Sequence, residues 1–145
     1  MKDGFGLLQN LAKGTYLAIL HTTAEIMTKS TKKKTKRAPS KDRNVYVIEL
    51  DSKILKKKDF LKENPNRDPS QQCVYVGMTS KTPEERFKVH KSDSPKSSRK
   101  VREFGIALMP KFYRDIKPLT WREAVDREKE LAEDLRSQGF AVWQR

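Results

Sequence analysis

Cysteine is nearly absent: Cys73 is the only one. An internal disulfide and a zinc site built on cysteines are therefore excluded. Its setting in the apolar run Cys73-Val74-Tyr75-Val76 reads as a small buried filler rather than a reactive thiol. Long hydrophobic runs are missing too. The best candidate, between Phe5 and Leu20, is interrupted by Lys13 and Gly14 and ends at His21. It is too short and too polar for a bilayer span, which takes ~20 apolar residues, and no small-residue cleavage site follows a continuous apolar core. It reads as an amphipathic helix or as chain with little structure. Negative charge is also short, with 19 Asp/Glu against 32 Lys/Arg and a net charge of +13. A polyanionic partner fits that balance, and the lone cysteine fits an intracellular protein.

What is present divides at about residue 43. Residues 1–43 hold ten Lys/Arg and three Asp/Glu, a net +7, against +6 for 44–145. The run Lys32-Lys33-Lys34-Thr35-Lys36-Arg37 repels itself and has nothing apolar to bury. Residues 1–43 are thus expected to be a flexible basic arm, read either as a solubilising tail or as a phosphate-binding arm whose effect falls steeply with salt. Met27 offers an alternative translation start, which would place the first 26 residues upstream of the protein; an authentic amino-terminal peptide mapping before Met27 would remove that expectation. One domain of ordinary size then occupies 44–145.

Asn44 to Leu50, NVYVIEL, sets Asn44, Tyr46, Ile48 and Leu50 on one face and Val45, Val47 and Glu49 on the other, the alternation of a strand. Asp51 to Gln72 is lysine-rich and then turn-rich, with a short helix expected within Ile54 to Glu63 and loop after it. Cys73 to His90, CVYVGMTSKTPEERFKVH, joins a second strand to a helix. Thr82 is the expected N-cap, Pro83 the first helical residue and Glu85 the partner in a capping box. Helix spacing then stacks Arg86 and His90 on one face. A strand tyrosine, an arginine and a histidine are thereby brought close by local structure. Lys91 to Arg99, rich in Ser and Lys, is expected to be an exposed basic loop. A helix ending at Gly105 and a third strand from Ile106 to Met109 follow.

Thr120-Trp121-Arg122-Glu123 is a second capping box, opening a helix that runs to about Gln138 and stops at Gly139. Trp121, Ala124, Val125, Leu131, Ala132 and Leu135 form its apolar stripe, and Glu128 falls on that stripe. A buried, unpaired carboxylate costs several kcal/mol, so Glu128 needs a cation, hydrogen bonds or a water-filled cleft. Phe140, Val142 and Trp143 then return along the sheet or cover the core.

Tyr75-Val76-Gly77, the polar turn, Glu84-Glu85-Arg86 and His90 resemble the second half of the GIY-YIG nuclease motif, with Asn44-Val45-Tyr46 in the place of the first half. The resemblance covers roughly Asn44 to Trp143. It implies an α/β (α+β) domain with a small, three-stranded mixed or antiparallel sheet flanked by helices, and a metal-dependent endonuclease that hydrolyses DNA. By resemblance Glu128 binds Mg²⁺ or Mn²⁺, Tyr46 activates the water, Arg86 stabilises the phosphate, and Tyr75 and His90 support the centre. Lys32, Lys33, Lys34, Lys36, Arg37 and Lys91 are the expected phosphate contacts. Tyrosine, with a reference pKa near ~10, needs a nearby cation to serve as a base at neutral pH. Three departures keep a second reading open: Asn44 replaces the motif's glycine, 51–72 is an insertion, and the family's late asparagine is missing, Gln144 being the only amide nearby. That second reading is a catalytically degenerate nucleic-acid-binding module. A basic RNA-associated protein is a third reading, and competition between RNA and DNA tests it.

Overall fold

The alternating apolar residues from Asn44 onward do form the first strand of a four-stranded mixed sheet, in an α+β domain. A computed structural model describes residues 36–144. The run from Phe5 to Leu20, Met27 and Lys32 to Lys34 lie outside the described residues. Strands β1 (Asn44–Leu50), β2 (Cys73–Thr79), β3 (Gly105–Leu108) and β4 (Ala141–Gln144) stand in the order β3-β1-β2-β4. β1 pairs antiparallel with β2 and β3, and β4 pairs parallel with β2. Three strands were expected. The fourth is the tail that was to return along the sheet, and it is only four residues long, too short to show a period of two.

Among the described residues four α-helices flank the sheet: α1 (Lys58–Glu63), α2 (Pro83–Lys91), α3 (Arg99–Phe104) and α4 (Trp121–Ser137). Both capping boxes form, Thr82 with Glu85 and Thr120 with Glu123. Gly139 ends α4 at φ 91°, a conformation that a side chain resists. None of the helices among the described residues is long and apolar enough to cross a membrane.

The β1–β2 register decides the site. Tyr46 lies opposite Gly77, and Tyr75 opposite Ile48. The two tyrosines are therefore diagonal neighbours on one face, a spacing within reach of aromatic side chains. Gly77 leaves open the space between them. β1 and β2 are buried on both faces, with Val45, Val47, Val74 and Val76 at 2% exposure or less. Ile54 and Phe60 carry the core into the 51–72 insertion.

Asn64 ties that insertion to the sheet. Its Nδ2 donates to the Phe60 and Val142 carbonyls, each at 2.9 Å, and its Oδ1 accepts from the Val142 N–H at 2.7 Å. A side-chain amide thus closes the outer edge of β4, where a further strand would pair. Asn64→Leu is expected to leave both Val142 backbone groups buried and unpaired and to cost about 2–4 kcal/mol, read as a lowered midpoint in urea unfolding. An unchanged midpoint would contradict this role.

Candidate active site

Two strand tyrosines, two side chains of α2 and one carboxylate of α4 converge on one face of the two central strands, β1 and β2. The Tyr46 and Tyr75 ring centroids are 6.1 Å apart, and the His90 ring lies 6.1 Å from Tyr46 and 5.6 Å from Tyr75. His90 is fully buried. Its Nδ1 accepts from the Ser98 N–H at 2.8 Å, and its Nε2 stands 2.8 Å from the Tyr46 hydroxyl. A nitrogen that accepts from a backbone N–H carries no proton, so the ring proton sits on Nε2 and donates to Tyr46. His90 thus does not take the tyrosine's proton; it offers one of its own. Nitrogen-15 spectra are expected to show the Nε2–H tautomer, and a proton on Nδ1 would contradict the assignment.

Burial pushes the Tyr46 phenol well above its ordinary value, and the Tyr75 hydroxyl beside it adds to the rise. The Arg86 guanidinium pulls the other way, by hydrogen bonding and by its charge. Burial dominates, because Tyr46 is only 1% exposed.

A cleft of about 420 Å³ opens beside this cluster, lined by Tyr75, Gly77, Arg86, Glu128, Lys129 and Gln144 among others. Tyr46 is not in its lining. Of the five residues expected at the centre, Tyr75, Arg86 and Glu128 line the cleft, while Tyr46 and His90 do not, the Tyr46 hydroxyl reaching Arg86 and Tyr75 from beside it.

Glu128 is 8% exposed, on the stripe where the helix period placed it. Burial raises its carboxyl to about 7, and a hydrogen bond with the Gln144 side chain partly offsets the rise. Among the described residues no lysine or arginine is ion-paired to it. Of the three ways to satisfy it, the structure supplies a cleft and an amide. The resemblance assigns Gln144 no site role. It arrives through β4, where Val76 pairs with Gln144, and the signal for it was an amide standing near the missing asparagine.

Ser98 was not expected at the site at all. Its part is a backbone N–H presented just ahead of α3, and nothing in its side chain announces that.

No family model, curated protein or solved structure matches this chain. The site is read from its own geometry. No group of three His, Cys, Asp or Glu side chains able to hold a metal occurs among the described residues. A lone carboxylate with open space around it suits Mg²⁺, which keeps several waters and is commonly held by one or two carboxylates plus phosphate oxygens. The desolvated Glu128 carboxyl, short of a cation and facing a cleft, fits such an ion.

The expected phosphate contacts fare unevenly. Lys36 and Arg37 are exposed, in irregular chain. Lys91 donates from Nζ to the Arg102 and Gly105 carbonyls at 3.1 and 2.9 Å, so two of its three N–H groups hold α2 to the end of α3. Trp121, placed on the buried stripe by periodicity, is instead 59% exposed. The core meets α4 only from Ala124 onward, and Trp121, at the helix start, lies beyond it.

Proposed function

We propose that this chain is a metal-dependent endonuclease of the GIY-YIG type, hydrolysing DNA phosphodiester bonds. The observation that carries the reading is Glu128, a desolvated carboxylate without an ion-pair partner among the described residues, facing a cleft that it shares with Arg86 and Tyr75. Glu128, aided by Gln144, would hold Mg²⁺ or Mn²⁺, which when bound offsets charge growing on the phosphate. Arg86, which lines the same cleft, would bind a phosphate oxygen and neutralise the same charge.

The tyrosine roles depart from those the resemblance implies. Tyr75 faces the cleft and takes the position next to the attacking water. Tyr46, desolvated and accepting from His90, orients the Tyr75 hydroxyl from beside it. Tyr75→Phe is accordingly expected to lower kcat more than Tyr46→Phe does, with KM little changed in either. The reverse order would return the water-activating role to Tyr46.

The burial of Tyr46 and the structural use of Asn44, whose Nδ2 donates to the Lys81 carbonyl at 3.0 Å, favour the second reading, a DNA-binding module without catalysis. Supercoiled plasmid separates the two. Nicking with Mg²⁺ that stops with chelator supports the nuclease. Salt-sensitive binding with no cleavage supports the module.

A further inference from the structure

The apolar stripe of α4 outruns the core it packs on. Ala124, Leu131, Ala132 and Leu135 are buried, but Val125 is 38% and Trp121 59% exposed. Trp121 and Glu128 are seven residues apart, so they project within ~20° of one another, about 10 Å apart along the axis. Val125 lies between them and lines the cleft. The uncovered stripe therefore leads along the helix straight to the Glu128 carboxylate.

Its surroundings are those of a nucleotide site. Lys129 and Arg86 line the same cleft, with Asp126 as the one exposed acid beside them. Lys41 approaches Glu123 in the first turn of α4, Nζ to Oε1 4.0 Å, so a further cation stands at the Trp121 end of the helix. A flat apolar surface beside cations matches the two parts of a nucleotide, an apolar base face and an anionic phosphate. A continuous duplex keeps its base faces stacked on one another. Only an unstacked base has a face to offer.

We propose that Trp121, supported by Val125, is a stacking platform for an unpaired DNA base, and that the cleft takes strands with single-stranded or unpaired segments. Ten ångströms is about three stacked nucleotide steps of 3.4 Å, so the stacked base lies up to three nucleotides from a phosphate at Glu128. The platform gives the proposed nuclease its substrate class, and it rests on that reading for the position of the scissile phosphate.

The sequence has two tryptophans, so Trp143→Phe leaves Trp121 as the only indole reporter. With chelator present to prevent cleavage, this variant is titrated with a duplex bearing a short single-stranded flap and with a blunt duplex of the same length. Quenching of Trp121 by the flap substrate alone is expected. In the wild-type background, Trp121→Ala is expected to weaken flap binding roughly ten-fold, the size of one base–aromatic stack, and blunt-duplex binding less than two-fold. Trp121→Phe retains most of the affinity.

Equal losses on both duplexes, no quenching, or a concentration-dependent dimer that Trp121→Ala dissolves would overturn the platform. Mg²⁺ added to the same flap substrate separates this idea from the nuclease reading. Quenching without cleavage sinks the nuclease and keeps the platform, and cleavage without quenching does the opposite.

Discussion

Alanine in place of Glu128 is expected to abolish the proposed Mg²⁺-dependent cleavage, by about a thousand-fold or more, and to leave DNA binding in place. The size of the effect follows from Glu128 being the buried carboxylate of the cleft, with no cluster of three candidate ligands among the described residues to take over its part. The same side chain is a burden on the fold without metal. Its carboxyl has an ordinary value of 4.5 and is raised to about 7 in the folded protein. The folded state therefore binds the proton more tightly, and the stability this group contributes is complete below about pH 4.5 and is lost as the pH rises through about 7. Water in the cleft screens the charge, leaving a loss on the order of 2 kcal/mol. Glu128→Gln should thus raise the unfolding midpoint at pH 8 and leave it unchanged at pH 4, while eliminating activity. Mg²⁺ should stabilise wild type at pH 8, and not the variant. Because a ligand must lose its proton to bind, apparent metal affinity should fall about ten-fold per pH unit below 7. A variant that cuts normally, or is less stable at pH 8, would contradict these expectations.

The second large effect is expected at Gly77. A β-carbon there would stand 2.7 Å from Tyr75 Cε1, 2.8 Å from the Tyr46 hydroxyl and 2.9 Å from Tyr46 Cζ. Side chains do not tolerate such distances, and neither ring can yield freely. Tyr46 is held by His90 and packed at 1% exposure, and Tyr75 is 3% exposed. Gly77→Ala therefore moves the Tyr75 phenol that lines the cleft and the Tyr46 phenol packed beside it. Activity should drop about a hundred-fold, the usual cost of misplacing a reacting group by an ångström. Stability should fall by about 1–3 kcal/mol through overpacking. Full activity in Gly77→Ala would mean that the tyrosine pair plays no part in the chemistry.

Much of this architecture is written in local signals. The two capping boxes, the Gly139 stop and the alternation of β1 each depend on a few adjacent residues, and each forms where the sequence places it. Glu128 was legible for a related reason: a helix has one period, and a carboxylate on the apolar stripe stands out against it. What sequence could not supply depends on distant pairing. β4 is too short to show alternation, and its partner lies 68 residues earlier. The β1–β2 register, which sets Tyr46 opposite Gly77 and diagonal to Tyr75, is a property of two strands divided by the insertion. The Ser98 backbone donor that fixes the His90 tautomer belongs to no side-chain pattern. Trp121 shows the limit of periodicity itself: the period says which face a residue shares, and only the extent of the core says whether that face is covered.

The most direct test is an anomalous difference map from crystals soaked in Mn²⁺ at pH 8. A single strong peak at about 2.1 Å from a Glu128 carboxylate oxygen, absent from Glu128→Gln crystals, is the result expected of a metal-dependent nuclease centred on this cleft. No peak there, or one that persists in the variant, would contradict it.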